Sequence, residues 1–167
     1  TTLFRSKIIS TSRTVYQLQN DDGSAAGSLT YIDDSLSEAM LSCDKEYFIT
    51  KQSYATWVTK ETGTDIQKAI CKVKVGGIMT LIINNKQYIF KKPFSWKLRL
   101  IMLDAEKEEV LAFLPTANWK IHSYNYALLL NDEFTKETDS FVILQALHCA
   151  VCSMAMMNGF ISGAIFS

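Results

Sequence analysis

The sequence predicts a mainly β fold, a closed antiparallel barrel of about twelve strands enclosing a hydrophobic C-terminal α-helix. Three observations predict it. Over residues 3–133 the apolar pattern has a period of two, in short runs broken by turn residues at the spacing of a sandwich or barrel. Residues 141–167, FVILQALHCAVCSMAMMNGFISGAIFS, hold no Asp, Glu, Lys or Arg, so the stretch offers water no charged face at helical spacing. A barrel of that many strands has a lumen wider than its inward side chains fill, and an all-round apolar helix is the element that would fill it.

The strands follow in order. Residues 14–19 (TVYQLQ) and 27–33 (GSLTYID) pair across Asn20-Asp21-Asp22-Gly23, where Asp-Gly supplies the positive φ of a tight hairpin. Residues 38–43, 47–51, 54–59 and 66–75 are the next candidates, with Glu61-Thr62-Gly63 as one turn and Gly76-Gly77 as another. Residues 78–84 (IMTLIIN) and 86–92 (KQYIFKK) form a second hairpin over Asn84-Asn85, whose side chains tolerate the left-handed conformation. Residues 96–103 pair with 109–114 across 104–108, and strands at 118–123 and 126–131 complete the set. Pro93 and Pro115 are placed between strands, where a missing N–H breaks no ladder bond. No linker, low-complexity tract or internal repeat interrupts the series, so a single domain is expected over 1–167.

The helix is expected over 141–157, roughly 26 Å at 1.5 Å per residue. Glu137 and Asp139 favour the positive end of its dipole, and Thr138, Asp139 or Ser140 can cap its first N–H groups. Asn158-Gly159 ends it before a short apolar tail, 160–167. A membrane anchor is the competing use of such a stretch. Its length is at the lower limit for a hydrocarbon layer of roughly 30 Å, and the preceding NDEFTKETD holds one Lys among acids where the cytoplasmic flank of a span is usually basic. Gln145, His148, Ser153 and Asn158 suit a dry protein core with specific partners better than lipid. Burial inside the barrel is the favoured expectation.

Seventeen basic residues balance seventeen acidic ones, so no global field recruits nucleic acid and none is expected as a partner. Cys43, Cys71, Cys149 and Cys152 are too few and too unevenly placed for a disulfide framework, and no Asn-x-Ser/Thr acceptor occurs, which points to a reducing, cytoplasmic setting. The N-terminal TTLFRSKII lacks the long apolar core of a signal peptide. His148 with Cys149-Ala150-Val151-Cys152 is the group that first suggests chemistry. Zinc would need a second ligand pair that the isolated Cys43, Cys71 and His122 do not supply, and a redox pair belongs at a helix N-terminus rather than inside an apolar helix. Small buried hydrophobes are the stronger reading. The acidic clusters Asp21-Asp22, Asp33-Asp34 and 106–109 fit no calcium loop, and neither a nucleophilic triad nor a Gly-rich phosphate cradle is legible. No enzymatic activity, metal or cofactor is expected.

What remains is basic. Lys72 and Lys74 project from one face of a strand and Lys97 and Arg99 from another, near Lys91, Lys92 and Trp96. Converging, Lys91, Lys92, Lys97 and Arg99 would hold a phosphorylated headgroup by charge-assisted hydrogen bonds, with Trp96 at the lipid interface. An ordinary solvated outer face is the plain alternative.

The hairpin VYQLQNDDGSAAGSLTYID, and Asp139 leading into FVILQALHCAVCSMAMM, resemble the opening and closing elements of the tubby-like proteins. That family includes the LURP-one-related proteins and, by similarity, the phospholipid scramblases. The resemblance implies a closed barrel around the last helix and, because the family includes phosphoinositide binders, an anionic phospholipid or membrane surface as partner. The expected function is a non-enzymatic binding module, cytoplasmic and peripheral to a membrane. A tail-anchored or scramblase-like membrane protein and an interaction scaffold for another protein are the alternatives.

Overall fold

The computed structural model describes residues 6–158, without the side chains of 136 and 137. Twelve strands close into one antiparallel barrel: β1 (Lys7–Ser12), β2 (Val15–Gln19), β3 (Ala25–Tyr31), β4 (Glu38–Ser42), β5 (Glu46–Ser53), β6 (Thr56–Glu61), β7 (Gln67–Val73), β8 (Met79–Ile83), β9 (Lys86–Lys91), β10 (Leu100–Leu103), β11 (Glu109–Asn118) and β12 (Ser123–Leu130). Each strand pairs with its neighbours in sequence, and β1 pairs with β12 through Lys7 opposite Ala127 and Ile8 opposite Tyr126. The pleat sorts the side chains. In β4, Ala39 and Leu41 are buried while Glu38 and Met40 are exposed, as a period of two requires when one face meets a core. At the Asn84-Asn85 turn both residues have positive φ, 49° and 64°, the backbone of a primed hairpin turn.

Four strand expectations are corrected. β1 is a strand the pattern does not mark, because Ser10 is buried and breaks the apolar alternation that Ile8 begins. Residues 118–123 do not form a strand of their own: Asn118 ends β11, Ser123 opens β12, and a turn with His122 at φ 51° lies between. Pro115 sits inside β11 rather than between strands, opposite Tyr126. It is tolerated because β10 reaches β11 only as far as Leu100 opposite Phe113, so beyond Phe113 that side of β11 is an edge. β10 itself begins at Leu100, which leaves Trp96, Lys97 and Arg99 in the connection before it rather than on a strand.

A short helix, α1 (Asp132–Glu137), follows β12, capped by the Asn131 side chain on the Phe134 N–H. The long helix, α2 (Ser140–Met157), then runs through the barrel. Asp139 caps it by accepting from the Val142 N–H at 3.1 Å. By length and composition α2 could cross a membrane, yet most of it is buried inside the protein. The expected tail, 160–167, lies outside the described residues.

The polar side chains of α2 each meet a different part of the barrel wall. Gln145 Nε2 donates to Thr59 Oγ1 on β6 at 2.8 Å, and His148 Nδ1 lies 2.7 Å from the Tyr31 hydroxyl on β3. Cys149 Sγ lies 3.4 Å from Cys71 Sγ on β7, Ser153 donates to Met79 Sδ on β8, and Asn158 Nδ2 donates to the Tyr124 hydroxyl on β12. Apolar packing alone would let a uniformly apolar rod slide or rotate. These pairs fix its depth and rotation, since a shifted helix would leave buried polar groups without partners at roughly 1–3 kcal/mol each. Gly27 on β3 marks the tightest approach: a Cβ there would sit 2.8 Å from both Leu144 Cδ1 and the Ser42 carbonyl oxygen.

Candidate binding end of the barrel

An antiparallel meander returns alternate connections to opposite ends, so the topology sorts the loops into two sets. One end, the loop end, carries 13–14, 32–37, 54–55, 74–78, 92–99 and 119–122. The other, the turn end, carries 20–24, 43–45, 62–66, 84–85 and 104–108, and α2 enters the lumen from it. The loop-end connections hold six basic residues, Arg13, Lys74, Lys92, Lys97, Arg99 and Lys120, against Asp33 and Asp34. The turn-end connections hold seven acidic residues against Lys45 and Lys107. A chain with no net charge is therefore an electric dipole along the barrel axis.

The exposed apolar side chains follow the same division. Eight of the eleven large ones among the described residues lie in loop-end connections, against Ile66 alone at the turn end. Phe94 and Trp96 are fully exposed, at 110% and 105%, and so is Val75, at 99%. Trp119, Tyr54 and Ile32 are more than half exposed. An apolar rim of this kind, interspersed with lysines, is a candidate interaction surface.

The expected headgroup residues separate into two groups. Lys92, Trp96 and Lys97 share the exposed 92–99 connection, where Lys97 N–H is held by Ser95 Oγ. Lys91 ends β9 opposite Ile101 on the outer wall. The register of Val73 with Met79 and of Met79 with Phe90 carries Lys74, two strands away, into the same outward row. Arg99 is different. Its guanidinium pairs with Glu109, which opens β11 at the turn end, so the side chain reaches down the outer wall and away from the lysines. Lys72 is exposed on β7, one outward position further from the rim than Lys74. Lys74, Lys92 and Lys97 form no ion pair among the described residues.

A second feature of the loop end was not marked by any local motif. Where α2 comes to its end, a cavity of about 810 Å³ opens between the 13–14, 32–37 and 119–122 connections. Its inner wall is buried and largely apolar, with Tyr16, Leu36, Tyr126, Val151 and Met154. Its rim is exposed and polar, with His122, Asn158 and the ion pair of Arg13 and Asp34 at 3.3 Å. Only a hydropathy comparison across three connections, far apart in sequence, could have found it.

The helix cluster of His148 and the cysteines sits apart from both surfaces, in the closed core. Burial pushes the His148 pKa down to about 3, so the ring is neutral, and its Nδ1 shares a hydrogen bond with the Tyr31 hydroxyl. Burial likewise holds the Cys149 and Cys152 thiols well above their ordinary range, and Cys43 is pushed up to about 11. Thiols in this state are packing groups, since the thiolate is the reactive form. Among the described residues no group of three or more His, Cys, Asp or Glu side chains is placed to hold a metal ion.

The fold and its rim define a class: a closed β-barrel filled by its own last helix, with a basic, aromatic end. Comparison with protein-family models, with curated proteins and with solved structures finds no match for this chain.

Proposed function

We propose that this protein is a non-enzymatic binding module of tubby-like type that docks on an anionic lipid surface with its loop end. The observation that carries the reading is the 92–99 connection, in which Phe94 and Trp96 stand fully exposed between Lys92 and Lys97. Aromatic rings favour the headgroup level of a bilayer, and each lysine near an anionic leaflet contributes about 1 kcal/mol within a Debye length. Lys74 and Val75 extend the same combination across the neighbouring connection, and the acidic turn end orients the molecule away from the surface. Arg99 takes no part, being engaged by Glu109 on the wall.

Co-sedimentation with vesicles tests this. Binding is expected to phosphatidylcholine vesicles that include phosphatidylserine or a phosphoinositide, to weaken steeply with salt, and to be absent with phosphatidylcholine alone. Equal binding to neutral and anionic vesicles would replace it with a hydrophobic anchor, and no binding to either would leave the aromatic rim as a protein interface. The apolarity of α2 supports an anchored alternative only if the chain partitions into detergent with the barrel opened.

A further inference from the structure

None of residues 92–99 lines the cavity at the end of α2, and nothing in the docking reading uses it. Its volume, about 810 Å³, falls within the range of small-molecule sites, roughly 300–1,000 Å³. The polar atoms around it are mostly spoken for. Ser123 donates to the Tyr16 hydroxyl at 3.1 Å, Asn158 donates to the Tyr124 hydroxyl, and Arg13 holds Asp34. Thr14, Asn118 and His122 at the rim make no side-chain hydrogen bond among the described residues, and at the buried wall neither does Tyr126. It lines the cavity, is only 2% exposed, and makes no hydrogen bond among the described residues, although its ring is locked edge-on against Phe113.

The Tyr126 hydroxyl opens onto the cavity and keeps its proton free to donate, so an acceptor placed in the cavity can pair with it. Of the other inner-wall groups, only the Tyr16 hydroxyl, which accepts from Ser123, has a proton left to donate. From this we infer that the cavity is a binding site for a mostly apolar small molecule bearing one acceptor oxygen, a ketone, aldehyde or ester carbonyl, which the Tyr126 hydroxyl recognises. The apolar body of the ligand packs among Tyr16, Leu36, Val151 and Met154. A sugar or nucleotide is excluded by the same wall, whose saturated or apolar groups would leave several of its hydroxyls dry and unpaired. The site discriminates at its inner wall, where the Tyr126 hydroxyl stands among apolar side chains.

A fluorescent aromatic ketone, 6-propionyl-2-dimethylaminonaphthalene, and its lauroyl homologue test the inference with the full 167-residue chain, so that residues 159–167 are present and can compete. The emission of both reports the polarity and hydrogen bonding around the carbonyl. Saturable binding with one equivalent per chain is expected. Tyr126→Phe keeps the ring and its packing, so the fold is retained, and should weaken binding about tenfold, the value of one lost hydrogen bond, while removing the hydrogen-bonding shift of the emission. Ala155→Trp, which fills the cavity from α2, should abolish binding, and Lys92→Glu with Lys97→Glu should not change it. No saturable binding overturns the inference. So does binding that Tyr126→Phe and Ala155→Trp both leave intact, and loss of binding with the lysine pair alone would assign the probe to the docking surface instead.

Discussion

At the turn end, four of the five tight connections present acid to the solvent and there is almost no large apolar surface; at the loop end, three of the six connections present lysines, within a rim of exposed apolar side chains. Both ends are built on the same strands, filled by the same helix, and closed by the same antiparallel ladder. Barrel stability therefore explains neither difference. Fold requirements set the inward half of each strand, and the connections are free to be specialised, which is why function is sought in loops held by a rigid scaffold. The comparison also shows how little a net charge of zero says about a surface: two opposite fields can cancel in the sum and act separately in space.

The largest expected effect comes from reversing one end. Lys74→Glu, Lys92→Glu and Lys97→Glu together should weaken vesicle binding by about a hundredfold or more, at about 1 kcal/mol per lysine removed, while reversing Asp104, Glu106 and Glu108 should not weaken it at all. Co-sedimentation at low salt reads both. Next comes a property that belongs to neither end. His148 is held neutral with its pKa near 3, while the unfolded chain protonates near 6.5, so between these values the unfolded state binds the additional proton and stability falls as pH falls. Urea unfolding at pH 6.5 and pH 5 should differ by about 2 kcal/mol, at 1.4 kcal/mol per unit, and His148→Gln should flatten that slope. If acid loosens the protein equally without His148, the carboxylates of the turn end are responsible. Trp96→Ala should cost about tenfold in vesicle binding, from the loss of one apolar ring at the interface, with unfolding unchanged. Smallest is Arg99→Gln: because the guanidinium is half-exposed and engaged by Glu109, binding should change by less than about twofold and stability by less than about 1 kcal/mol.

Much of the barrel was legible, for physical reasons that also mark where legibility stopped. The Asn84-Asn85 turn, the Asp139 cap and the uncharged α2 are local signals, and each is where it was expected. The failures are places where a local signal has two causes. Trp96-Lys97-Leu98-Arg99-Leu100 alternates like a strand, but alternation does not say whether the apolar side meets a core or stands in solvent, and here two of its three apolar residues are outside. Pro115 reads as a break, and only the short reach of β10 lets the strand do without an N–H there. Ser10 hides β1 because a serine facing the lumen looks like a residue facing water. Of the binding end, the lysines were visible singly. Their division from the acids was not, because it depends on which connections share an end, and that follows from the meander rather than from any stretch of sequence. The cavity needed three such connections and the helix terminus at once.

The fixed depth of α2 has a consequence for how the chain is made. The element that fills the lumen is synthesised after every strand that surrounds it, and the strand that closes the ring, β12, comes only shortly before. Until Ser140 and its successors leave the ribosome, Leu29, Leu81 and Phe90 line a wall with nothing to wall in, and until β12 emerges β1 is an open edge whose partner lies more than a hundred residues away in sequence. Such late, long-range closure is slow and exposes sticky strand edges meanwhile. A nascent chain stalled before α2 would not be a smaller version of this protein; it would be a client for chaperones, and its quality control rests on whether the last helix arrives.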